Sequence, residues 1–210
     1  MKIVGVGMNY RKHLQELNAP EPSEPVIFLK PDSSLSHASV LTTLSNKPFF
    51  IPDFSNEIHY ETEIVVKICK LGKNIAAKFA YRYYEEVTVG LDLTARDLQK
   101  ELRGAGLPWE ICKSFDQSAV IGQYVPLNEI GIIQNLNFHL DINGKTVQQG
   151  CTSDMIFTVD KIIEYASRFF TLKTGDLIYT GTPSGIGPVC NADLLEGYLE
   201  GVKVLDVLIK

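Results

Sequence analysis

In the run IHYETEIVVKI (58–68), Glu61 and Glu63 are two residues apart. In an extended chain that spacing puts both carboxylates on one side. Two such groups repel unless water surrounds them, one is protonated, or a cation bridges them. Asp92 ends the strand-like VTVGLDL (87–93) and precedes the helical TARDLQKEL. It can cap that helix, or it can join the glutamate pair. Glu61, Glu63 and Asp92 together would offer three hard oxygen donors and no soft ligand, which suits Mg2+ or Mn2+. The spacing is long, so convergence stays open, and an ordinary solvent face opposite Lys67 has the same pattern.

His13 and Glu16 are three apart in NYRKHLQEL (9–17), a segment able to make two helical turns. They can share a face. A carboxylate on one imidazole nitrogen orients the ring and leaves the other nitrogen to take a proton from water. A surface pair beside Lys12 has the same spacing. Lys113 follows the apolar PWEIC, as a snorkelling cation or as a buried charge with a task. GTPSGIG (181–187) matches neither GxxxxGK[ST] nor GxGxxG, so it is no nucleotide loop. Its backbone N–H groups and the Thr182 hydroxyl could hold a carboxylate, or it is a tight turn.

These groups need elements to carry them. KIVGVG (2–7) reads as a short strand, NAPEPSEP (18–25) as a loop, and VIFLKP (26–31) as a strand stopped by Pro31. The run 58–68 alternates as one strand, with Ile58, Tyr60, Thr62, Ile64, Val66 and Ile68 on one face. A helix is expected near 75–87, and another in TARDLQKELRGAG, stopped by Gly104 and Gly106. LNFHLDING (136–144) carries the turn dipeptide Asn143-Gly144, and GDLIYTGTP (175–183) and VKVLDVLI (202–209) are strand-like. VDKIIEYASRFF (159–170) has helical spacing. Many short strands with a few helices, and no βαβ alternation, predict an α+β, mainly β fold rather than a Rossmann or TIM architecture.

A length of 210 residues with 45% hydrophobic composition predicts one core-forming domain over 1–210. The net charge of −5 argues against a mainly electrostatic nucleic-acid binder, which would want the opposite balance. No stretch is apolar enough to span a bilayer, and the N-terminus turns polar too early for a secretory signal, so the expected compartment is the cytoplasm. Cys69, Cys112, Cys151 and Cys190 form no CxxC pair and the four histidines are scattered, which argues against a zinc site. Four reduced, mostly buried thiols are expected.

Seven segments, GMNYRKHLQE (7–16), FLKP (28–31), YETE (60–63), GLDLTARDLQ (90–99), LPWEICKSFD (107–116), TSDMIF (152–157) and YTGTPSGIG (179–187), occur in one order. Together they resemble the fumarylacetoacetate hydrolase family, in its branch of short acylpyruvases and oxaloacetate decarboxylases. The resemblance implies a mixed β-sandwich roll, a homodimer, and Mg2+ or Mn2+ on Glu61, Glu63 and Asp92. It implies a catalytic dyad of His13 and Glu16, with Lys113 beside the substrate. Lys30, Arg96, Gln99 and Thr182 are implied to bind a small 2-oxo acid, with no membrane or nucleic-acid partner. The implied reaction is hydrolysis of the C–C bond of a 2,4-dioxo acid to pyruvate and a carboxylic acid, alongside oxaloacetate decarboxylation. A diene-dioate isomerase, or a non-catalytic binding protein on the same fold, is the alternative. The acyl group is expected to be read by loops such as 18–25 and 32–45.

Overall fold

The structure is a computed structural model that describes residues 1–38 and 48–210. Among these residues the first strands are β1 (Ile3–Gly7), β2 (Val26–Lys30), β3 (Leu35–His37), β4 (Ile58–Tyr60) and β5 (Thr62–Ile68). Next come β6 (Tyr84–Asp92), β7 (Thr94–Ala95), β8 (Ala119–Ile121), β9 (Val125–Pro126) and β10 (Asn137–Ile142). The last are β11 (Lys145–Cys151), β12 (Leu177–Tyr179), β13 (Gly187–Pro188), β14 (Leu194–Leu199) and β15 (Val202–Leu208). The helices are α1 (Arg11–Glu16), α2 (Ala77–Ala80), α3 (Arg96–Ala105), α4 (Glu110–Lys113), α5 (Leu127–Ile130) and α6 (Val159–Phe169). The expected mainly β fold is the one found.

The strands form three sheets. The largest runs β2-β1-β12-β5-β6-β8-β3, with β9 on the far end of β6. A second runs β11-β10-β14-β15, and a small third runs β13-β4-β7. Ile64, Val66 and Ile68 of β5 enter a core shared with α6 and the second sheet. Val65 enters another with Ile3, Ile121 and Tyr179. Both faces of β5 are therefore covered around Glu63, which is buried, whereas Lys67 near the other end stays part-exposed beside Glu86.

Three expectations need correction. The run 58–68 is not one strand. It breaks at Glu61 because β4 pairs with β7 and β13, whereas β5 pairs with β12 and β6. The helix expected near 75–87 is a single turn, Ala77–Ala80. From Tyr84 the aromatic chain joins β6, where cross-strand packing on β5 outweighs helical propensity. The cysteines are all free, but only Cys112 is buried.

Other local signals act as expected. Gly106 adopts a left-handed conformation (φ 66°) and ends α3. Asn143 and Gly144 both take positive φ in the β10–β11 turn. No helix among the described residues is long and apolar enough to cross a membrane. Of the loops expected to read the acyl group, 39–45 lie outside the described residues.

Candidate active site

Antiparallel pairing brings the three acids together. β5 and β6 are in register with Thr62 opposite Leu91 and Glu63 opposite Gly90. Continuing that register sets Asp92 beside Glu61, and the Asp92 N–H donates to the Glu61 carbonyl at 2.8 Å. Carboxylate oxygens of Glu61, Glu63 and Asp92 lie within 4.8 Å of one another, and all three residues are buried. The sequence distance between the pair and Asp92 is therefore only the length of a hairpin connection.

Buried acids need compensation. Glu61 accepts from Arg96 and, at 2.7 Å, from Lys113 Nζ. Burial alone would raise its pKa, but Lys113 and Arg96 outweigh this and hold the carboxyl far below its usual range. Lys113 Nζ also donates to Asp92 Oδ2 and Thr94 Oγ1, each at 2.7 Å. Burial would lower the Lys113 pKa, yet Asp92 and Glu61 carry it above the ordinary value. Lys30 is fully buried behind Asp92, 2.6 Å from Oδ1, and donates to Ser118 Oγ at 3.0 Å. Its pKa is lowered, chiefly by burial.

Glu63 is the exception. Its one hydrogen-bond donor among the described residues is the Gly181 N–H, at 2.7 Å. Burial, then Asp92 and Glu61, push its carboxyl well above the usual range. Asp92 Oδ1 makes no hydrogen bond of good geometry, although Lys30 Nζ stands 2.6 Å away as its counter-charge. A buried carboxylate held by one backbone N–H, in an all-oxygen set of three, is what a hard divalent cation would satisfy. The residues fit Mg2+ or Mn2+.

The dyad covers this floor. His13 is 4% exposed, and its Nδ1 lies 2.9 Å from Glu16 Oε2. A carboxylate accepts, so this contact puts a proton on Nδ1, and in the neutral ring Nε2 is then the acceptor. Glu16 is steadied by the Gly185 N–H at 3.3 Å. The start of α1 is fixed by Asn9, whose Nδ2 donates to the Thr180 carbonyl at 2.7 Å and whose Oδ1 accepts from Phe157 N–H at 2.8 Å. The approach is so close that a Cβ on Gly181 would stand 2.7 Å from Asn9 Cβ. His13, the three acids, Arg96, Gln99, Lys113 and Thr182 all line one narrow cavity of about 30 Å³. A hollow of about 640 Å³ on the outer side of α1, bordered by Lys12, Gln149 and Ser184, contains none of the acids.

The glycine turn holds the protein's own groups. Gly181 binds Glu63, and Gly185 binds Glu16. The Thr182 hydroxyl donates to the Thr62 carbonyl at 2.9 Å and accepts from Gln148 Nε2 at 2.6 Å, so its proton is already committed. Arg96 donates to Gln99 as well as to Glu61, and Lys30 backs Asp92.

Sequence reasoning missed Asn9, Thr94 and Gln148. Asn9 and Thr94 lie inside quoted motifs. Gln148 had no signal, because it sits in a plain hairpin strand of another sheet. It is 2% exposed, its Oε1 accepts from Thr62 N–H at 3.0 Å, and its Nε2 also donates to the Pro183 carbonyl at 2.9 Å. It thus ties the strand between the two glutamates to the glycine turn. Gln148→Leu would leave buried backbone groups unpaired, and is expected to cost about 2 kcal/mol or more, read as a lower urea midpoint at unchanged slope.

Comparison with known proteins agrees with this geometry. Residues 2–206 match the family described as Fumarylacetoacetate (FAA) hydrolase C-terminal. Oxaloacetate tautomerase FAHD1 of Bos taurus is 38% identical over 200 residues, covering 95% of this chain and 87% of that protein. A mitochondrial oxaloacetate decarboxylase of Dictyostelium discoideum is 39% identical over 201 residues, covering 96% of this chain and 89% of that one. Among solved structures, fumarylpyruvate hydrolase from Pseudomonas aeruginosa, in complex with Mn2+ and pyruvate, superposes with a TM-score of 0.91 at 35% identity. That superposition covers all of this chain and 89% of the other. With the segments in order, the curled sheets shared and the acids converged, the chain belongs to the fumarylacetoacetate hydrolase family.

Proposed function

We propose that the protein is a divalent-metal enzyme of short 2-oxo acids, hydrolysing the C–C bond of acylpyruvates and acting on oxaloacetate at the same site. The observation that carries this reading is the buried triad Glu61, Glu63 and Asp92 lining one cavity with His13, whose ring is held by Glu16. The triad would hold Mg2+ or Mn2+, which supplies a Lewis acid for the substrate's carboxylate and 2-oxo oxygen. The three acids are already faced by Lys30, Lys113 and Arg96. A dication therefore leaves the site with excess positive charge, suited to an anionic substrate.

In hydrolysis, His13 Nε2 takes a proton from water, and the resulting hydroxide adds to the distal carbonyl carbon. The C–C bond then breaks with its electron pair passing to C3. The products are a carboxylic acid and the enolate of pyruvate, which takes up at C3 the proton that His13 removed from water. Lys113 stands where that enolate charge develops. Glu16 keeps the ring oriented and stabilises it while charged. α1 closes the cavity, leaving little room for water other than the reacting molecule.

A second reading, keto–enol tautomerisation of oxaloacetate, is favoured by the relatives' activity. There His13 would move a proton at C3 rather than one from water. The test is a screen of acetylpyruvate, fumarylpyruvate, oxaloacetate and a hydroxyheptadienedioate, each with and without Mg2+ or Mn2+. Metal-dependent turnover of one of the first three supports the proposal. Turnover of the diene-dioate alone would replace it with the isomerase reading. Pairing as a homodimer is proposed as well, because Phe50, Phe54, Leu107 and Ile111 are all roughly half exposed or more. Light scattering after gel filtration tests it.

A further inference from the structure

We propose that Arg103 is a specificity-determining residue, receiving a second carboxylate at the outer end of the substrate. The preferred substrates are then 2-oxo dicarboxylates rather than uncharged-tail acylpyruvates. The inference rests on the 2-oxo acid reading above.

Arg96, Gln99 and Arg103 stand at i, i+3 and i+7 on α3, so they share one face. All three line the cavity that contains the acids. Seven residues of helix carry Arg103 about 10 Å beyond Arg96, from the floor of the site to its mouth. The other lining cations of α3 and α4 are committed: Arg96 to Glu61 and Gln99, Lys113 to Glu61 and Asp92. Among the described residues Arg103 has no acidic partner, although it faces the same space.

Phe28, Trp109, Met8 and Leu17 add apolar surface to the lining, with the Phe28 and Trp109 ring centroids 6.2 Å apart. An unpaired guanidinium on the same lining as the acids suits a substrate whose far end is a second carboxylate. The planar guanidinium can bind that group through two parallel hydrogen bonds. Arg103 is exposed, so solvent weakens the contact, and the expected effect is selective rather than total.

Two ligand pairs test this in Mn2+-loaded protein. Malate and lactate share a 2-hydroxy acid head, but only malate has the second carboxylate. Calorimetric titration measures their affinities without turnover. Oxaloacetate and acetylpyruvate form the matching substrate pair. Arg103→Gln is expected to weaken malate binding and raise the oxaloacetate KM by about 3- to 10-fold. Lactate binding and acetylpyruvate turnover should stay within about twofold of the parent, and Arg103→Lys should restore part of the loss. Equal losses for both members of each pair would overturn the proposal, by making Arg103 a support for the lid or the fold. An indifferent Arg103→Gln in an active parent would overturn it while leaving the 2-oxo acid reading intact. A parent that neither binds these ligands nor turns over either substrate would overturn both.

Discussion

Glu63→Gln is expected to abolish metal-dependent activity while leaving the metal-free protein at least as stable as the parent. Glu63 is the buried carboxylate with the least compensation, held by one backbone N–H and crowded by Asp92 and Glu61. Glutamine keeps its size and removes the charge, so repulsion falls without a cavity forming. The same change deletes one of three hard donors. Loss of an outer partner of a ligand typically costs 10- to 100-fold in affinity or activity, and loss of the ligand itself should exceed about 10²-fold. Melting with and without Mn2+ separates the two effects. The parent should gain about 2.7 kcal/mol when the metal is at 100 times its Kd, and the variant should gain almost nothing. Chelator should inactivate the parent, and added Mg2+ or Mn2+ should restore it. Full turnover by stripped parent, or an undiminished metal shift in the variant, would remove these acids from the assignment.

His13→Ala divides the reactions open to this site. Hydrolysis needs a base for water, and tautomerisation needs a group to move the C3 proton. Breaking the carboxylate bond of oxaloacetate needs neither, because the electron pair left behind settles into the enolate. Acylpyruvate hydrolysis and oxaloacetate tautomerisation are therefore expected to fall by about 10²- to 10⁴-fold, the usual effect of a positioned base. Decarboxylation should fall much less. Lys113 and Asp92 are expected to matter to all three, since each reaction passes through the enolate. Rates on one preparation of the variant decide it. An equal collapse of all three would mean that His13 mainly positions substrate or closes α1.

The acids and the dyad were visible as short spacings, but spacing alone did not single them out. Two glutamates two residues apart, and a histidine one helical turn from a glutamate, also fit a solvated surface, and it was the ordered motifs that set them apart. The break at Glu61 was not legible, because alternation runs through 58–68 with no glycine or proline to interrupt it. Only the different partners of β4 and β5 divide the strand. The convergence of Asp92 became visible once β5 and β6 had a register. Gln148 reaches Thr62 across 86 residues of sequence, and nothing in a hairpin strand announces that contact. Arg103 carried no signal in the sequence, and only the cavity gave its helix face a direction.

The position of β12 has a consequence for how the protein is made. It lies between β1 and β5 in the large sheet, pairing parallel with Ile3–Gly5 and antiparallel with Val65–Lys67. A chain leaving the ribosome produces both neighbours long before Leu177–Tyr179 appears. Until then β1 and β5 present open edges, and edges of that kind recruit other strands. The central sheet therefore cannot close during most of synthesis, and folding must wait for contacts of very long sequence separation, which are slow to form. Gly181, which binds Glu63, follows directly behind β12. The catalytic floor is thus completed by nearly the last part of the sheet to arrive, and a nascent chain stalled before residue 177 would be inactive and prone to aggregate.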